Sequence, residues 1–241
     1  MQAAAFAVHA AALVATPLRG RGRRAGLAIA VVAGLAGATA AACVRRWGAP
    51  RAAAAFAVVG AGTAALERVG TETGVPFGRY AYTGALRPTV AGVPVVVPLA
   101  WFAMAVPARE AAHAALGARS TRWRRVGLAS AYLAAWDLFL DPQMVGEGYW
   151  RWARCGRYRG VPLTNYAGWL AAGAAVMVAL EIALPAGDVE PTLVGEYAWM
   201  AGMQTLGFAR YFDDRLVAAV GGAAMVPAAA VAVLGWWRGR A

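Results

Sequence analysis

Long apolar runs separated by clusters of arginine constrain this chain more than any other feature. Ala25–Val44, Thr89–Pro107, Tyr166–Leu184 and Leu216–Trp237 each approach the ~20 residues that a helix needs to cross a bilayer. A soluble domain of 241 residues has no use for so many of them. Only 15% of the residues are charged, against about 25% in ordinary globular domains. Hydrocarbon offers no partner to a backbone N–H or C=O, so each run is expected to be helical. Abundant alanine and glycine suit close contact between such helices. The expected fold is therefore all-α, a polytopic transmembrane helix bundle of about seven to eight spans. It forms a single integral domain over residues 1–241, sited in the cell membrane as a multi-pass protein.

Stepping between charge clusters gives segments at 3–18, 25–44, 52–66, 89–107, 126–145, 161–184, 193–209 and 216–237. The first lacks the basic leader of a signal peptide and reads as a short span. Arg19, Arg21, Arg23 and Arg24 argue that the first connection is cytoplasmic, and the acidic stretch 188–196 that it lies outside. Eight spans would then leave Arg119, Arg122, Arg124 and Arg125 outside as well.

Every one of the 23 basic residues is arginine, and the net charge is +11. The arginines lie between apolar runs rather than along one helix face, so anionic membrane lipid is the expected partner and nucleic acid is not. Cys43 and Cys155 have no CxxC or Cys/His spacing and propose neither a disulfide framework nor a metal site. His9 and His113 lack ligand partners at helical spacing. No nucleotide, dinucleotide or zinc-hydrolase motif stands in a usable context.

Two connections carry more chemistry than passive loops need. Residues 67–92 and 141–169 are dense in glycine, proline, aromatics and charge, and are expected to cover one end of the bundle. Irregular backbone near membrane depth is tolerated where it lines a cavity. Asp137 and Asp141 lie in an otherwise apolar span at i, i+4, which puts both on one helix face, and Pro142 is expected to end the regular helix. Acids inside a membrane face a cavity or a partner. The pair is either a functional site or an ion-pair anchor for Arg151 or Arg154. Glu67 closes the third span next to Arg68 and Glu72, and is either a helix-end ion pair or a third acid of the same cavity. Tyr80, Tyr82, Trp101, Trp136, Trp150, Trp152 and Trp169 form either an interfacial belt or a set of π faces for a cation. Asn165, the sole asparagine, either orients a water or closes a turn. Asp213 and Asp214 are expected to pair with Arg210 and Arg215.

The segments GVPFGRYAYT (74–83), WDLFLDPQM (136–144), WRW (150–152) and YRGVPLTNYAGW (158–169) resemble the carotenoid biosynthesis membrane-protein family over roughly residues 60–185. The resemblance implies a carotenoid 1,2-hydratase, including the type that matures bacterioruberin-like C50 carotenoids. Its substrate would be an acyclic or half-cyclic carotenoid, and its partners include other membrane enzymes of the same pathway. Hydration of a terminal C1–C2 double bond calls for no metal and no redox cofactor. A carboxylic acid protonates C2, and water captures the tertiary cation at C1. A carboxyl group in apolar surroundings beside a second carboxylate is suited to hold that proton. Asp137 and Asp141 are expected to supply donor and acceptor, with Glu67 nearby. Tyr80, Trp136 and Trp150 would steady the cation, and Asn165 would hold the water. Two other readings stay open. DLFLD has the D-x-x-x-D form with which a prenyltransferase holds Mg²⁺ and a diphosphate. A non-enzymatic carrier or scaffold also accommodates charges within spans.

Overall fold

The computed structural model describes residues 1–20 and 22–239, so Arg21 of the first arginine cluster lies outside the described residues. Eight α-helices follow one another among them: α1 (Gln2–Ala15), α2 (Ala25–Trp47), α3 (Ala49–Thr73), α4 (Val96–Leu116), α5 (Arg122–Glu147), α6 (Leu163–Ala183), α7 (Pro191–Arg210) and α8 (Arg215–Arg238). Four short strands interrupt them: β1 (Tyr80–Tyr82), β2 (Thr89–Val90), β3 (Val93–Pro94) and β4 (Trp150–Trp152). The all-α expectation holds for the body of the molecule, and these strands are its one departure. Four helices, α2, α3, α6 and α8, are long and apolar enough to cross a membrane. Their outer faces expose large apolar side chains such as Phe56, Leu170, Ile182, Val231 and Leu234. A water-soluble monomer does not leave so much contiguous apolar surface uncovered; this is a membrane-type helical bundle.

Helix α4 is the hub and packs on α2, α3, α5, α7 and α8. It begins and ends later than the apolar run at 89–107 suggests. Residues 89–94 form the β2–β3 hairpin instead, and the helix continues past Pro107 through Arg109 and Glu110, each 1% exposed. These charges are tolerated because they are paired. Arg109 bridges Glu110 at 2.6 Å and Glu181 of α6 at 2.8 Å, and Arg125 bridges Glu181 at 2.5 Å. A second Arg109 N–H reaches the Leu184 carbonyl at 2.7 Å, and the Glu190 N–H donates to Glu110 at 3.0 Å. The network clamps α4, α5, α6 and the start of α7 at one end of the bundle.

Helix α5 likewise outruns expectation. Thr121 caps it by accepting the Arg124 N–H, and Gly148 ends it in a left-handed turn at φ 74°. Pro142 lies inside it rather than at its end. A proline frees the carbonyl four residues earlier, here Leu138, and the Tyr158 hydroxyl donates to that oxygen at 2.9 Å. With its loose acceptor satisfied from outside, the helix runs on for another turn.

The opposite end gathers the two unusual connections. Strands β1 and β4 pair antiparallel, with Tyr80 opposite Trp152 and Tyr82 opposite Trp150. Arg24 bridges Glu147 at 2.5 Å, and Arg159 bridges Asp214 at 2.7 Å, tying the remaining connections of that end together. Asp214 therefore pairs with Arg159, not with Arg210 or Arg215, because it also caps α8 through the Val217 N–H and faces the second loop. The arginines at 119–125 and the acids near 188–190 share the far end, as eight alternating helices require.

Candidate functional site

Helix α3 buries Ala52, Ala55, Val59, Thr63, Glu67 and Gly70, a single stripe at helical spacing. Glu67 is the last but one residue of that stripe and is turned inward. Arg68 and Glu72 make the surface pair at the helix end without it. Both Glu67 oxygens act as acceptors. Oε2 receives the hydroxyls of Tyr80 and, at 2.6 Å, Tyr82, while Oε1 receives the Trp101 indole N–H at 3.1 Å. Burial first, and then the Glu67 carboxylate, push both phenols well above the ordinary tyrosine range, so they serve as donors.

On α5, Asp137 is fully buried and Asp141 is 3% exposed. Neither meets an arginine, and Arg151 and Arg154 make no ion pair among the described residues. Their shared partner is Asn165, in the first turn of α6. Its Nδ2 donates to Asp137 Oδ2 at 2.7 Å and to Asp141 Oδ2. One amide nitrogen carries two hydrogens, so a single side chain bridges both carboxyl groups. The second oxygen of Asp137 is buried with no partner among the described residues.

The aromatic residues form the walls around these acids. The Trp101 and Trp169 rings stack 4.0 Å apart at 7°, and Trp136 meets Trp169 edge-on at 6.0 Å. Tyr80 lies 5.0 Å from Trp152 and Tyr82 lies 5.8 Å from Trp150, across the β1–β4 pair. Phe77 fills the corner between Tyr80, Trp101 and Trp169. It fits because position 168 is glycine, where a Cβ would sit 2.8 Å from the Pro76 carbonyl and 2.9 Å from the Phe77 ring. Each well-placed aromatic pair adds roughly 0.5–1.5 kcal/mol beyond its buried area, so the rings hold one another in the wall without a ligand.

The chamber has a volume of about 120 Å³. Its polar end is Glu67, Asp141 and Asn165, under Tyr80, Tyr82, Trp101, Trp136, Trp150, Trp152 and Trp169. Its body is hydrocarbon and passes along Leu13, Val31, Val32 and Leu35 toward α1 and α2, and along Met104 of α4. Thus the residues singled out from the sequence converge on one cavity, with one exception. Asp137 stands behind Asp141 and Asn165 and does not reach the wall. Sequence reading missed Phe77, Gln143, Gln204 and the apolar body. Two glutamines inside apolar helices were the available signal for part of this.

For the D-x-x-x-D reading, the chamber offers an amide between the two acids and, among the described residues, no second acid-rich motif beside them. The Asn165 amide takes one oxygen of each aspartate of DLFLD, bridging the two acids. Asp213 and Asp214 lie in the α7–α8 connection, with Asp214 held by Arg159. Among the described residues no group of three or more His, Cys, Asp or Glu side chains is arranged to hold a metal ion. Cys43 is buried and Cys155 exposed, both as free thiols. His9, expected to be incidental, bonds the Val31 carbonyl at 2.8 Å and the Trp199 indole at 3.1 Å and joins α1 to the bundle.

Fold and site together define a membrane-type helical bundle with a mostly apolar, acid-tipped and aromatic-lined chamber. Residues 25–237 match the family described as carotenoid biosynthesis protein, and the chain belongs to that family. The match extends well beyond residues 60–185 and takes in the flanking helices, α2 and most of α8 included. A bisanhydrobacterioruberin hydratase from Haloarcula japonica is 34% identical over 116 residues, which cover 47% of this chain. The aligned region spans 39% of that relative's length. No solved structure matches the chain.

Proposed function

We propose that the protein is a carotenoid hydratase that adds water across the terminal C1–C2 double bond of an acyclic or half-cyclic C40 or C50 carotenoid. The observation that carries this reading is the acid-bearing tip, Asp141 with Glu67 and Asn165, in a mostly apolar chamber. Such a cavity accepts one end of a hydrocarbon and presents a carboxyl group to it. Membership of the carotenoid family and the hydratase name of the relative support the same reaction class.

In this scheme Asp141 is the donor, because of the two aspartates it is the one in the wall. Its proton passes to C2, and the C1–C2 π electrons form the new C–H bond, leaving a tertiary cation at C1. The faces of Trp136, Trp150 and Tyr80 and the Glu67 carboxylate stabilise that cation. Water adds through oxygen to C1, and Glu67 takes the proton that the water loses. Return of that proton to Asp141 closes the cycle, with one water consumed and no electron transferred. Asp137 and Asn165 act as positioning residues. The substrate's long tail lies along the apolar arm toward α1 and α2 and continues into lipid. On the same reading the bundle works as a multi-pass protein of the cell membrane, with lipid and neighbouring carotenoid enzymes as its partners.

The test is expression in a bacterial host that makes lycopene or an anhydro-C50 carotenoid, followed by mass spectrometry of the pigments. A product heavier by one water and carrying a tertiary alcohol is expected. Unchanged pigment on both substrates, with the protein verified in the membrane, would overturn the assignment.

A further inference from the structure

Hydration needs a water molecule inside a chamber whose walls are mostly hydrocarbon, and the membrane side cannot provide it. A second cavity, of about 140 Å³, adjoins the chamber at the end where the loops gather. It is lined by Arg24, the last turn and a half of α5, the end of α7 and Asp214. Its character is polar. Arg24 bridges Glu147 there and lies 5.2 Å over the Phe212 ring, while Tyr211 at its rim is 56% exposed.

Gln143 is in the wall of both cavities. Its half-buried amide has no hydrogen-bond partner among the described residues. On the outer side, Glu147 Oε2 is buried with no partner, because Arg24 takes only Oε1. On the chamber side, Gln204 Oε1 is buried with no partner. Unsatisfied buried polar atoms are rare and each is costly, unless water visits it. A hydrocarbon has nothing to offer an amide or a carboxylate. The two buried atoms, with the half-buried Gln143 amide in the wall of both cavities, therefore mark a polar line from the loop end into the chamber.

Resting on the hydratase reading, we infer that the cavity between Arg24, Glu147 and Asp214 is the water inlet, and that Gln143 passes water from it into the chamber. Gln143 is a positioning residue: it contacts the water and not the acid. If water fails to arrive, the C1 cation has one remaining exit. It gives a proton back to a wall carboxylate and regenerates an alkene. In D₂O, where the acid carries deuterium, that return leaves deuterium in the unhydrated carotenoid.

The experiment uses the full-length protein in membranes, with an acyclic carotenoid and D₂O, and measures both alcohol and deuterium in the recovered hydrocarbon. Gln143→Met keeps side-chain length and removes the amide. It is expected to lower alcohol formation by about tenfold or more while deuterium in the hydrocarbon rises. Gln143→Glu, which keeps a polar group, is expected to restore alcohol formation. A second variant blocks the inlet from outside. A Cβ at Gly146, which lines the inlet, meets nothing within 4 Å, so Gly146→Leu has room to begin its side chain at the inlet mouth and is expected to shift the products in the same direction. Alcohol formation at the wild-type rate in both Gln143→Met and Gly146→Leu would overturn the inlet, as would loss of alcohol and exchange together in both. Absence of both alcohol and exchange in the wild-type protein would instead overturn the hydratase reading itself.

Discussion

The hydroxyl of Tyr158 donates to the Leu138 carbonyl at 2.9 Å and closes the gap that Pro142 leaves in the α5 ladder. One loop side chain thus keeps Asp141, the residue just ahead of the proline, on a continuous helix. Tyr158→Phe leaves that carbonyl without its partner. The expected loss is about 1–3 kcal/mol of stability, read as a lower midpoint for unfolding in detergent. Turnover should fall further than the folded fraction does, because the last two turns of α5 carry both Asp141 and Gln143. Unchanged stability and turnover would show that α5 holds its course without the loop.

Asp141 and Asp137 are chemically alike and differ in position. Asp141→Asn is expected to lower hydration by about 10²–10⁴, the usual contribution of a positioned acid, with the protein still folded. Asp137→Asn keeps the side-chain shape behind the wall and should have the milder effect. Carotenoid alcohol per folded protein is the measurement. A larger loss at Asp137 than at Asp141 would move the donor one turn back along α5.

Glu67 accepts three hydrogen bonds that all come from donors. Glu67→Gln replaces one acceptor oxygen by an NH₂ group facing a donor, so about 1–3 kcal/mol of stability is expected to go. The proton acceptor goes with it, and hydration should drop by about 10²-fold or more. Substrate binding, followed through the carotenoid absorption band, should persist. Full activity in a folded Glu67→Gln protein would remove Glu67 from the proton path.

Arg109 works at the other end of the bundle. Arg109→Leu leaves Glu110 without its ion pair and weakens the hold on Glu181, and breaking one partner of a buried pair costs about 3–5 kcal/mol. The expected result is a strong loss of stability with KM unchanged for the protein that remains folded. A raised KM would mean that the clamp reaches the chamber.

The helices were legible because arginine clusters and apolar runs alternate, and every expected segment has a helix in it. The boundaries that failed share one cause. Arg109 and Glu110 read as the end of a span, since most of the partners that make them bearable inside, Glu181, Leu184 and Glu190, come some seventy to eighty residues on. Pro142 read as a stop because its remedy, Tyr158, lies in a different connection. At the site, acids and aromatics stood out because charge is scarce in such helices. Phe77 and the apolar body did not, since a residue lining a hydrocarbon chamber has the same chemistry as one facing lipid. The parting of Asp137 from Asp141 depends on side-chain packing, which i, i+4 spacing does not report.

Strands β1 and β4 lie on either side of α4 and α5 in the chain and become neighbours only through their pairing. During synthesis, Glu67, Tyr80 and Tyr82 emerge first and wait. Asp137 and Asp141 follow, still without Asn165. The reactive tip comes into being only when WRW and the first turn of α6 have left the ribosome. A chain halted before that point has most of its helices and all three acids, but not the amide bridge and the β4 wall that join them into one site.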